Sequence, residues 1–99
     1  MAVFTPVETS YGYRCSGGIS ATTITSDNIW IYKFEYIPAT NANKVTITDK
    51  AGNNITYIAG AVALDSNERL YGERQYGTKF DGLIVTLTGT GDILHIYKV

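Results

Sequence analysis

Two side chains that can act as base or nucleophile near neutral pH occur once each, His95 and Cys15. His95 sits in the alternating run Ile93-Leu94-His95-Ile96-Tyr97. A zinc site built on it needs further His or Cys ligands, and neither a second His nor a Cys-x-x-Cys pair exists. A lone His among apolar strand residues reads as structural. Cys15 excludes an intramolecular disulfide and has no base beside it in sequence, so a buried thiol is expected. Serine chemistry has no G-x-S-x-G elbow to stand on. Gly17-Gly18 and Gly89-Thr90-Gly91 are not followed by Lys-Ser/Thr or by a helical pattern, so neither reads as a phosphate loop. Asp65-x-Asn67 begins like a calcium loop but lacks its sixth-position Gly and closing Glu. Most acids lie in turns or beside Lys or Arg, which suits solvation better than a facing carboxylate pair. No cofactor, no metal and no catalytic residue is expected, and the chain reads as a non-enzyme.

Charge narrows the partners. Eight Lys and Arg residues are cancelled by nine acids, leaving a net charge of −1, and no basic stripe accompanies the aromatics. That argues against nucleic acid as a partner. No run approaches the roughly 18 apolar residues of a membrane span. Met-Ala-Val-Phe-Thr-Pro carries no basic segment ahead of a long apolar run, so no signal peptide is expected. Charged residues make up only 17% of the chain; Thr, Gly, Asn and eight tyrosines fill the gap, favouring strands and turns over helices.

Period-two patterns follow from that composition. In Ile29–Pro38, Trp30, Tyr32, Phe34 and Tyr36 share one face, the expected core face; Ile29, Ile31, Lys33, Glu35 and Ile37 share the other. Lys44–Asp49 alternates through Val45 and Ile47, Asp49-Lys50-Ala51-Gly52-Asn53 supplies a turn, and Asn54–Ala61 returns through Ile55, Tyr57 and Ala59. That is a β-hairpin. Lys79–Thr88, the turn Gly89–Asp92 and Ile93–Val99 read as a second one. Ser16–Ser26 contains no charge, an aggregation liability unless the segment is buried or paired. The expectation is one all-β domain over residues 1–99, a small antiparallel β-sandwich or jelly-roll-like barrel of seven or eight short strands. Residues 1–28 are its anchoring, partner-contacting segment.

One short repeat stands apart. Glu68-Arg69-Leu70-Tyr71-Gly72 is followed at once by Glu73-Arg74-Gln75-Tyr76-Gly77. Its glycines should bend the chain into a loop or kinked edge strand. Tyr and Arg dominate binding hot spots, so Arg69, Tyr71, Arg74 and Tyr76 join Val3, Phe4, Tyr11 and Tyr13 as candidate partner contacts.

Lys79-Phe80-Asp81-Gly82-Leu83-Ile84-Val85-Thr86-Leu87-Thr88-Gly89-Thr90-Gly91, closing in Ile93-Leu94-His95-Ile96-Tyr97, resembles the end of short virion proteins of tailed bacteriophages. The likeness spans roughly residues 44–99. It implies a capsid decoration or cement subunit, made in the host cytoplasm and carried on the capsid exterior. The implied partners are the major capsid protein and further copies of the chain, in a homo-oligomer or a lattice. The alternatives are a head-fibre or tail accessory protein, or a glycan-binding, adhesin-like module stacking sugars on Trp30, Tyr32 or Tyr36.

Overall fold

The computed structural model describes residues 7–99. Eight strands and no helix are found among them: β1 (Val7–Glu8), β2 (Gly12–Ser16), β3 (Ile19–Ile37), β4 (Val45–Thr48), β5 (Asn54–Ile58), β6 (Asn67–Leu70), β7 (Thr78–Leu87) and β8 (Ile93–Lys98). They form one antiparallel sheet in the order β1-β2-β8-β3-β7-β4-β5, with β6 added alongside β3. The all-β expectation holds, although β3, at 19 residues, is far from short.

β3 organises the whole sheet. Its first part, from Ile19 to Ile31, pairs with β7; from Ile31 to Ile37 it pairs with β8 on one side and, over Lys33–Tyr36, with β6 on the other. Seven flat strands would span about 34 Å and be one layer thick. The molecule instead measures 32 × 29 × 27 Å, so the sheet curls onto itself around a single core. That core gathers Cys15, Ile31, Phe34, Tyr36, Val45, Ile47, Leu83, Val85, Leu87, Leu94 and Ile96, each with no exposed surface.

The expected aromatic core face of β3 is correct only in its second half. Ile29 and Ile31 point inward, then Phe34 and Tyr36 do, while Trp30 stays 48% exposed. An extra residue explains the change of parity. Ile31 pairs with Lys98 and Lys33 with Tyr97, so Tyr32 is a bulge opposite a single step of β8. One inserted residue moves every later side chain to the other face.

Two further expectations are corrected. β7 and β8 do not form a hairpin; β3 lies between them and gives each a ladder along a different part of its length. The β4–β5 hairpin forms, and the Asp49 carboxylate pins its turn by accepting the Ala51 and Asn53 amides at 3.0 and 2.9 Å. Its return strand, however, buries Thr56 and Ile58 and leaves Tyr57 outside, because Thr56 and Ile58 stand opposite the buried Ile47 and Val45 and share their face, while Tyr57 stands opposite Thr46. The uncharged Ser16–Ser26 stretch belongs mostly to the first part of β3 and is paired with β7 of the same chain. Three bulges fall there, between Ile19 and Thr22, Thr23 and Thr25, and Thr25 and Asn28. Such irregularity blunts an edge that lacks charges.

Candidate binding face

β2, β8, β3 and β6 align in register, so residues facing outward form rows across four strands. Arg14, His95, Glu35 and Glu68 make one row; Gly12, Tyr97, Lys33 and Leu70 make the next. Side chains that are far apart in sequence therefore meet on one surface. The Tyr11 hydroxyl lies 2.7 Å from His95 Nδ1, and its ring stacks on Tyr97 at 4.7 Å. Tyr97 also meets Tyr32 at 6.0 Å, and Lys33 Nζ lies 4.4 Å from its ring centre. Lys33 in turn pairs with Glu68 at 3.1 Å.

Glu35 ties this face together. Its carboxylate accepts the Ser66 hydroxyl at 2.6 Å and the Tyr97 hydroxyl at 3.2 Å. The Ser66 hydrogen bond, then that of Tyr97 and the charges of His95 and Lys33, hold its carboxyl below the usual range. Burial, with Glu35 beside it, pushes the Tyr97 hydroxyl up to about 12. The result is a rigid surface of half-buried aromatic rings and interlocked polar groups, of a composition that favours contact with another molecule. Among the described residues, no three His, Cys, Asp or Glu side chains gather where they could hold a metal ion. Nor is any helix there long and apolar enough to cross a membrane.

The candidate contacts chosen from the sequence divide. Val3 and Phe4 lie outside the described residues. Tyr11 belongs to the face above, whereas Tyr13 packs against the core with Lys98 Nζ 5.4 Å from its ring centre. Arg69 is exposed on β6, separated from β2 by β8 and β3, about 14 Å of sheet. The two E-R-x-Y-G copies are not equivalent. The first ends β6 and turns Tyr71 inward, edge-on to Phe34 and Phe80, its hydroxyl donating to the Ile55 carbonyl at 2.7 Å. The second is a turn closed by the Tyr76 and Gly77 amides on the Glu73 carbonyl, with Arg74 exposed and Tyr76 67% exposed. Both glycines take positive φ, 93° at Gly72 and 65° at Gly77, as the bend requires. Tyr71 is thus partly buried and packed against the core.

Sequence reasoning missed Tyr32, Glu35, Ser66, His95 and Tyr97 as one surface. Their union depends on the β8–β3 register, which no local pattern announces. Comparison with protein-family models, curated proteins and solved structures finds no match.

Proposed function

We propose that this chain is a non-catalytic structural subunit of a tailed-phage virion, a decoration or cement protein that binds the major capsid protein from the capsid exterior and stabilises the shell. The observation that carries the binding part of the reading is the outward face Tyr11–His95–Tyr97–Glu35, where His95, Tyr97 and Glu35 stand on the paired strands β8 and β3 and Tyr11 closes onto them from the bend between β1 and β2. Rigid aromatic anchors lose little entropy on binding and are favoured at interface centres. The virion part rests on the resemblance of residues 44–99. Quantitative mass spectrometry of purified particles tests it. The protein should be present at a copy number comparable to that of the capsid protein; its absence, or a trace amount, removes the reading.

A second reading is favoured by one observation. Trp30 is about half exposed, with Lys79 Nζ 5.9 Å from its ring centre and the half-buried Tyr32 two residues on, and an exposed indole suits stacking on a sugar ring. Tyr36 is fully buried and takes no part. A glycan array separates the two: binding lost in Trp30→Ala supports a glycan module, and no signal above background removes it.

A further inference from the structure

We infer that Tyr11 and Tyr97 are preset for oxidative coupling: a one-electron oxidant in solution, such as a peroxyl radical, joins them into an intrachain dityrosine that staples the bend before β2 to β8. This is independent of the virion reading. Coupling links ring carbons ortho to two phenol oxygens, so the rings must touch with their hydroxyl ends together. The Tyr11 and Tyr97 rings stack at 4.7 Å, their planes 26° apart. The Tyr11 hydroxyl ends on His95 Nδ1 at 2.7 Å and the Tyr97 hydroxyl on Glu35 Oε1 at 3.2 Å. His95 and Glu35 are register partners across β8 and β3, so both phenol ends reach the same row of the sheet. The backbone holds this approach, since the Lys98 amide donates to the Tyr11 carbonyl at 2.9 Å. Tyr32 also meets Tyr97, but at 6.0 Å and 49°.

Each hydroxyl also has its own proton acceptor. A phenol that loses an electron becomes a strong acid, and a base already hydrogen-bonded to it takes the proton. Nδ1 of His95 accepts when the imidazole carries its hydrogen on Nε2. Tyr11 thus gives an electron to the oxidant and its hydroxyl proton to His95. Tyr97 gives an electron to a second equivalent of oxidant and its proton to Glu35. The two phenoxyl radicals form one carbon–carbon bond. The hydrogens on the bonded carbons leave as protons and the two oxygens are reprotonated, so both rings regain aromaticity and the product lacks two hydrogens. Lys33 Nζ, 4.4 Å from the Tyr97 ring centre, disfavours positive charge on that ring, so Tyr11 is oxidised first. Both rings are half-buried, open to electron transfer yet screened from a second chain. The exposed Tyr57 and Tyr76 stack on no described ring.

The test exposes the dilute full chain to photogenerated tris(bipyridine)ruthenium(III), with persulfate as terminal electron acceptor. Dityrosine fluorescence is read on the monomer, and linked peptides are mapped by mass spectrometry. A Tyr11–Tyr97 peptide two hydrogens lighter than its parts is expected. Tyr11→Phe and Tyr97→Phe, which keep both rings, should each abolish it, while Tyr57→Phe leaves it unchanged. His95→Gln, a weaker base at the same place, should slow the reaction by about ten-fold. The link closes nearly the whole chain into a loop, so the linked monomer should melt about 10 °C or more above the untreated one. Dityrosine formed only between chains, or a monomer link that survives Tyr11→Phe, overturns the pair. An unchanged rate in His95→Gln overturns the proton route, and an unchanged melting temperature overturns the staple.

Discussion

The Tyr36 hydroxyl donates to Asp92 Oδ2 at 2.7 Å, and neither residue has exposed surface. Asp92 stands at the entry to β8, Tyr36 near the end of β3, 56 residues apart. Two further donors converge on Oδ1, the Ala39 amide at 2.7 Å and Asn43 Nδ2 at 2.8 Å. A buried carboxylate without a cation is tolerable only when its lone pairs are filled this way. The knot fastens the loop after β3 to the start of β8.

Truncating the two partners should therefore have unequal effects. Tyr36→Phe removes one donor of three and keeps the ring, a loss of about 1 kcal/mol. In a domain of this size that lowers the melting temperature by about 5 °C. Asp92→Ala strands three donors at once and should cost on the order of 3 kcal/mol or more. Urea unfolding of both variants measures the difference, and equal losses would show that Asp92 is not the centre of the knot.

The repeated E-R-x-Y-G motif yields a second contrast. Tyr71→Ala empties a space between Phe34 and Phe80 and frees the Ile55 carbonyl, for a loss of about 3 kcal/mol. Tyr76→Ala lies on an exposed turn and should stay within about 0.5 kcal/mol of wild type. Thermal melts of the two variants settle whether the copies share a role; similar losses would mean that they do.

Strand existence was legible because apolar alternation and Gly, Asn and Asp turns mark it locally, as in Val45-Thr46-Ile47-Thr48 followed by Asp49–Asn53. Facing was legible on only one side of a bulge: in β3 the expected aromatic face holds for Phe34 and Tyr36, beyond Tyr32, and fails at Trp30, before it. Nothing in Ile31-Tyr32-Lys33 signals that Tyr32 is supernumerary, since bulges are set by the partner strand. The pairing of β3 with both β7 and β8 was hidden for a related reason. A turn between two strands suggests a hairpin, while the preference of each for a third strand is a property of the whole core. The Tyr11–His95 contact, 84 residues apart, follows from that topology and from no motif.

Cys15 gives a chemical check on the core. It has no exposed surface, and burial pushes its thiol up to about 12. The thiolate is the reactive form, so the native protein should be inert to maleimide and to disulfide exchange near neutral pH. Unfolding in urea should release one reactive thiol per chain, in step with loss of structure. Rapid labelling of the native protein would place Cys15 at the surface.

The outward face predicts a stability profile with two limbs. Glu35 titrates below its ordinary value in the folded state, chiefly through the Ser66 hydrogen bond. Its contribution is therefore complete above the unfolded value, about 4.3, and disappears as pH falls through the lower folded value. Tyr97 behaves in the opposite sense. Its hydroxyl is held up to about 12 against an ordinary 10.0, so its contribution is complete below 10 and is lost as pH rises toward 12. Glu35→Gln should flatten the acid limb, because no carboxylate remains to protonate. It should also move Tyr97 down, yet not to its ordinary value, since burial is the largest cause of the shift and persists. Chemical denaturation at stepped pH reads the acid limb, and tyrosinate absorbance reads the alkaline one. An unchanged tyrosine titration in Glu35→Gln would mean that the Glu35–Tyr97 hydrogen bond does not form in solution.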